Sequence, residues 1–308
     1  MVFGIFEGLL GLAMLGFIAL LVFTAAIAPQ SQANSARANF LQTAVIYLGF
    51  AVFAFLLAAG SIWPRRWARA LTVAYCCFWL VIGVVAILFT SIFLPRMMRQ
   101  MPASPQPGAE GAQIFAVVFV VFFMTMVFVV IPAVFLLFYS SRNVKATFEA
   151  RDPTPRWTDR CPMPVLILGL VKAMGVVGLV ATALGAVAAV PVFGFILSGP
   201  AARVTYLLMA PLWGVVAWGL LTMRKAGWWG AFALTLFFWL SSLITFARVD
   251  VLEFYRRGGM PEEQLRIMAS SGFLQPMVQW MMPAFFVVYL AYVVFLRRYF
   301  YRAASASA

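Results

Sequence analysis

Eight runs of apolar residues alternate with short polar connections along the chain: residues 3–28, 40–62, 68–94, 114–139, 163–190, 203–223, 228–248 and 276–297. A hydrocarbon core about 30 Å thick takes about 20 apolar residues in a helix. Inside lipid the backbone amides must be satisfied within the segment itself, so runs of this length predict spanning helices. The fifth run stays apolar past Pro191 as far as Leu197, which predicts a kinked or extended fifth span. The expected fold is an all-α integral membrane protein with about eight transmembrane helices.

The polar positions between the runs set the orientation. With eight crossings both termini share a side. The even-numbered connections and the C-terminal tail hold 13 basic residues, among them Arg65, Arg66, Arg142, Lys145, Arg224, Lys225, Arg297 and Arg298. The odd-numbered connections hold eight, and four of those share a loop with Asp250, Glu253, Glu262 and Glu263. The excess of Lys and Arg on one side predicts that both termini are cytoplasmic. The first run carries Glu7, lacks a basic leader and exceeds the apolar length of a signal peptide, so it is read as the first span.

A shift of 160 residues lays spans one to four on spans five to eight. Phe78-Trp79-Leu80 then falls on Phe238-Trp239-Leu240, Phe135 and Tyr139 on Phe295 and Tyr299, and Arg96 on Arg256. The shared order of short and long connections supports the match. The chain is therefore expected to be a tandem, parallel 4+4 repeat: residues 1–148, a cytoplasmic linker at 149–160, and residues 161–308. The third connection of each unit is the long one. In the first it begins at Pro95. In the second, Pro261-Glu262-Glu263 predicts a short helix, with Pro in its first turn and acids at the positive dipole end. Leu265 and Met268 give that helix an apolar edge, expected to lie on the outer membrane surface.

Composition narrows the function. Of 308 residues 65% are hydrophobic and only 10% charged, too few to cover a soluble globule. The net charge of +13 is scattered over short connections rather than gathered in a patch, so it speaks for topology and not for nucleic acid. Only Lys145, Lys172 and Lys225 are lysines, and this Arg bias suits a bacterial source. The three cysteines, Cys76, Cys77 and Cys161, do not form a disulfide framework. There is no His, which removes His-ligated haem, HExxH zinc sites and Ser-His-Asp chemistry. Carboxylate pairs, phosphate-cradling Gly loops and CxxC spacings are missing as well. No cofactor and no metal is expected. Met97, Met98, Met101, Met277, Met281 and Met282 are read as fillers of apolar gaps rather than Cu(I) ligands.

Two ionisable residues lie inside spans. Lys172 is nine residues into the fifth run, and Glu7 is near the inner end of the first. Intramembrane charges are costly and mark functional sites by default, so the pair forms a candidate intramembrane polar site, with Glu7 and Lys172 joined if spans one and five pack together. Trp157, Arg156 and Arg160 in the linker are candidate contacts for lipid headgroups or a partner. Arg256, Arg257, Leu265 and Met268 in the second outer loop are candidates for the same role. The expected protein is a multi-pass protein of the bacterial cytoplasmic membrane, not an enzyme, acting as a scaffold or accessory subunit of a membrane complex. The alternative is a permease for a hydrophobic or lipid-like substrate. Expected partners are membrane lipids and either a membrane-protein partner or a second copy of the chain.

Overall fold

The computed structural model describes residues 2–26, 33–100, 109–270 and 277–305. Within them, eight helices are long and apolar enough to cross a membrane, one for each expected span. The first half comprises α1 (Val2–Ala26), α2 (Ala33–Ile62), α3 (Arg66–Gln100) and a composite fourth span. That span is α4 (Ala109–Thr125), a π-helical turn (Met126–Val130) and α5 (Ile131–Ser140). Pro132 explains the break. It cannot donate to the carbonyl of Phe128 and its ring crowds that carbonyl, so the helix widens by one residue just before it. The short α6 (Arg142–Arg151) and the single turn α7 (Trp157–Arg160) lead into the second half.

The second half begins with α8 (Met163–Leu184), and here the sequence expectation fails. The apolar run does not continue as a span to residue 190 or as a helix to Leu197. It leaves the helix after Leu184 and forms a β-hairpin, β1 (Ala189–Val192) and β2 (Phe195–Ser198), with Val190 opposite Leu197 and Val192 opposite Phe195. Pro191 and the β-branched residues around it disfavour helix. At the tip Phe193 and Gly194 both take positive φ, 42° and 97°, the geometry of a tight two-residue hairpin turn. The tip is tied to α10: Phe193 N–H donates to Ser241 Oγ at 3.1 Å, Ser241 Oγ donates to the Pro191 carbonyl at 2.7 Å, and Gly194 N–H donates to Thr245 Oγ1 at 2.9 Å. The chain continues through α9 (Gly199–Leu221), α10 (Lys225–Phe246), α11 (Val251–Gly258) and α12 (Glu262–Ser270). A second π-helical turn (Met277–Met281), again just before a proline, Pro283, opens the last span, α13 (Met282–Ser305).

Pro95 also departs from expectation, since α3 runs through it to Gln100. The rest of the first outer connection, 101–108 with Met101, lies outside the described residues, as does 271–276 in the second. α12 starts at Glu262 as expected.

Helix α8 is the hub. Val165, Leu166 and Leu168 are at most 1% exposed and share a core with Ala70 and Ala74 of α3, Val216 and Leu220 of α9, Trp228 of α10, and Val293 and Leu296 of α13. The outward faces carry Leu9, Phe23, Leu88, Phe119, Leu137, Leu208 and Val288, all more than half exposed, which is the surface a lipid-solvated bundle presents.

One local arrangement occurs twice. Trp79 of α3 faces Val127, Ile131, Pro132 and Phe135. Trp239 of α10 faces Val278, Met282, Pro283 and Phe286. The fourth residue of each third span also ties a carbonyl of the fourth: Arg69 Nη1 donates to Tyr139 O at 3.2 Å, and Trp228 Nε1 to Val293 O at 2.8 Å. The tryptophans are 160 residues apart, but the prolines are 151 apart. The chain between Trp239 and Pro283 is nine residues shorter than that between Trp79 and Pro132.

Candidate functional site

The first four spans enclose a cavity of about 450 Å³. Its wall is apolar: Leu10 and Met14 of α1, Ile46, Tyr47, Phe50 and Leu57 of α2, Tyr75, Cys76 and Trp79 of α3, and Phe128, Pro132 and Phe135 of the fourth span. The volume is that of a small-molecule site. At its inner end stands Glu7, only 5% exposed.

The placement of Glu7 follows from antiparallel packing. It is the sixth residue of α1, so it lies about 8 Å in from that helix end at ~1.5 Å per residue. At the same level α2 is ending, α3 is starting and α5 is ending. Those turns supply Ser61, Thr72 and Tyr139, each nearly fully buried. Thr72 Oγ1 donates to Glu7 Oε1 at 3.3 Å. The Tyr139 hydroxyl lies 3.3 Å from the same oxygen and 2.8 Å from Ser61 Oγ. Glu7 Oε2 has no hydrogen-bond partner. One carboxyl oxygen is thus anchored by hydroxyls, and the other is buried and unfilled at the foot of an apolar chamber. None of the described ion pairs involves Glu7.

The chamber runs from the level of Glu7 to that of Met14, Tyr47, Trp79 and Phe128, ~12 Å further along at helical rise, which is about the middle of the bilayer. α1 packs along α2, α2 against α3, and α3 against the fourth span. The remaining seam, between α1 and the fourth span, closes at the inner end by aromatic contact. Phe3 stacks on Phe138 with centroids 4.0 Å apart and meets Phe135 edge-on at 4.9 Å. No extended packing joins α1 to α4 among the described residues, so the part of this seam away from Glu7 is not sealed by helix packing.

Lys172 lies elsewhere. It is 3% exposed, with its Nζ 4.2 Å from the centre of the Trp213 ring and 5.3 Å from that of Tyr289. The expected pairing with Glu7 does not form: the carboxylate is held by the first four spans and the ammonium by aromatic rings of α9 and α13. Charge-over-ring contact is one way to shelter a cation without a counter-ion.

Beneath the cavity the segment expected as a linker is a built clasp. Asp152, 2% exposed, receives Nε and Nη2 of Arg156 at 3.1 and 2.8 Å and the backbone N–H of Arg66 at 3.3 Å. The last contact caps the start of α3 from outside, where the helix has an unsatisfied amide. The Arg156 guanidinium beside it holds the Asp152 carboxyl down at about 2. Asp159 accepts from Arg156 N–H at 2.7 Å, and Arg66 pairs with Asp159 and with Glu149, both at 3.5 Å. Arg156 is thus engaged inside the protein, whereas Trp157 and Arg160 point outward and stay exposed. Phe148 of α6 packs edge-on to Tyr139 at 6.0 Å, which couples the clasp to the residues that hold Glu7. Burial pushes the Cys161 thiol up to about 12, so it is not a nucleophile at neutral pH.

In the connection between α10 and the last span Arg256 pairs with Glu253 and Glu262, and Arg257 with Glu253, all at 2.8–2.9 Å. These acids hold Arg256 charged, and the two arginines hold Glu253 below the usual carboxylate range. Leu265, on the expected apolar edge of α12, is 3% exposed, and α12 lies beside α11. Met268 is half-buried. Among the described residues no group of three His, Cys, Asp or Glu side chains is placed to hold a metal.

The sequence singled out Glu7 but not its surroundings. Ser61, Thr72 and Tyr139 are ordinary residues of apolar runs, and only the bundle brings them together. No family model matches the chain, and no curated protein or solved structure shows significant similarity to it.

Proposed function

We propose that this polytopic membrane protein is a permease for a hydrophobic, lipid-like molecule, which enters the first-half cavity sideways from the bilayer. The observation that carries this reading is the Glu7 chamber: a site of ligand size, apolar along its length, polar at one end, and, away from Glu7, not sealed by helix packing between α1 and the fourth span. A purely structural bundle would gain by filling such a space, since interiors pack closely. The reading is non-enzymatic. The charge bias of the connections supports a bacterial cytoplasmic membrane with both termini inside, and the recurrent Trp–Pro arrangement supports two tandem four-span units.

The test is photolabelling in nanodiscs with a dodecyl probe carrying a diazirine. Labelled peptides should map to Met14, Tyr47 or Phe128 and vanish in Ala54→Phe, which fills the chamber. Labelling spread evenly over the lipid-facing surface, unchanged by Ala54→Phe, sinks the proposal. The scaffold reading has one observation of its own, the stacked ladder Phe115, Phe119 and Phe123 on the exposed side of α4. A stoichiometric partner retained in mild detergent, and lost when this ladder is changed to alanine, supports it.

A further inference from the structure

We infer that the ligand of the Glu7 chamber is an amphiphile with a cationic, hydrogen-donating head, such as a long-chain primary amine, rather than a neutral or anionic lipid. The inference rests on the permease reading and adds the chemistry of the head.

Glu7 is a carboxylate in a place where a charge is costly unless it is answered. Its neighbours answer half of it. Thr72 donates to Oε1 and the Tyr139 hydroxyl crowds the same atom, while Oε2, on a side chain 95% buried by its 5% exposure, meets no donor. Three cationic side chains of the surrounding elements are committed elsewhere. Arg69 donates to the Tyr139 carbonyl, Arg66 pairs with Glu149 and Asp159, and Lys172 rests on Trp213 and Tyr289. Oε2 can therefore take one further N–H donor, and a cation presented from the chamber side would answer the remaining charge at short range. An ammonium meets this need, and its tail lies against Leu10, Met14, Phe50 and Phe128. A carboxylate or phosphate head would face Glu7 with like charge. A hydroxyl head can donate to Oε2 but brings no counter-charge, so the buried carboxylate stays uncompensated.

The experiment uses the full chain in nanodiscs and three diazirine probes of one tail length: dodecylamine, dodecanol and dodecanoate. In the wild-type protein the amine should label chamber peptides about tenfold more than the alcohol, the ratio for one charge-assisted contact of ~1.4 kcal/mol. The acid should label least. Glu7→Gln should lower the amine to the level of the alcohol. Should that variant fail to fold, the wild-type ranking alone decides. Equal chamber labelling by amine and alcohol, or a preference for the acid, overturns the cationic head while leaving the permease reading intact. Absence of chamber labelling by all three overturns both.

Discussion

The first four spans and the last four pack the space between their helices differently. Counting 160 residues on, Glu7 becomes Ile167, Phe53 becomes Trp213 and Thr72 becomes Phe232. The first half is thereby left hollow with an acid at its foot. The second is filled, with Leu166, Leu220, Trp228 and Leu296 in close contact and Lys172 sealed against Trp213 and Tyr289. The gap between third and fourth span is also exchanged. In the first half Gly83 lets α3 approach so closely that an added Cβ would lie 2.5 Å from the Phe128 carbonyl. In the second, Leu243 occupies that position and lines a groove of about 310 Å³ between α10 and α13. Similar local contacts thus border a chamber within the first four spans and a smaller groove between α10 and α13, and a few side-chain volumes differ between them.

The contrast can be broken most forcefully at Trp213. Trp213→Ala should open space beside Lys172 and cost about 3 kcal/mol, the low end for a large-to-small aromatic change, because Trp213 is partly buried. Equilibrium unfolding in mixed micelles should show it; a loss below ~1 kcal/mol would mean that Lys172 and Tyr289 need no such support. Next comes Gly83→Leu, which gives the first half the residue of the second. Overpacking against the Phe128 backbone should cost about 1–3 kcal/mol and reduce chamber labelling.

The clasp is a third place to test the asymmetry, since among the described residues such a clasp lies beneath the first half and not the second. Asp152→Asn weakens a charge-assisted contact and should cost about 1–3 kcal/mol. It should also alter the acid response. The folded carboxyl sits at about 2, below its ordinary value of 3.8, so its contribution is complete above pH 4 and is lost as pH falls from about 4 to 2. The drop in melting temperature across that window should be smaller in Asp152→Asn than in wild type; identical curves would remove the clasp from the account. The smallest effect is expected at Lys172. Lys172→Met should change stability by less than ~1 kcal/mol, because a buried cation replaced by an apolar isostere is close to neutral. Chamber labelling should be unchanged, and its loss would tie the two halves functionally.

Much of the architecture was legible along the chain. The eight spans follow from run length, and the start of α12 follows from Pro261 and its acids. Glu7 and Lys172 stood out because charge is rare in such runs. The hairpin at Ala189–Ser198 escaped detection because an apolar run reads alike as helix or strand, and its tip depends on Ser241 and Thr245, some 50 residues away.

The sequence by itself determined that this is a membrane bundle with eight crossings and almost no buried charge, because hydrophobic length and charge placement are local properties. Only the tertiary structure decided that Glu7 and Lys172 belong to separate sites, that one half encloses a chamber, and that the linker is a clasp. Those facts depend on which turns share a depth in the bilayer and on how well side-chain volumes fill the space between helices, and neither is written in any single segment.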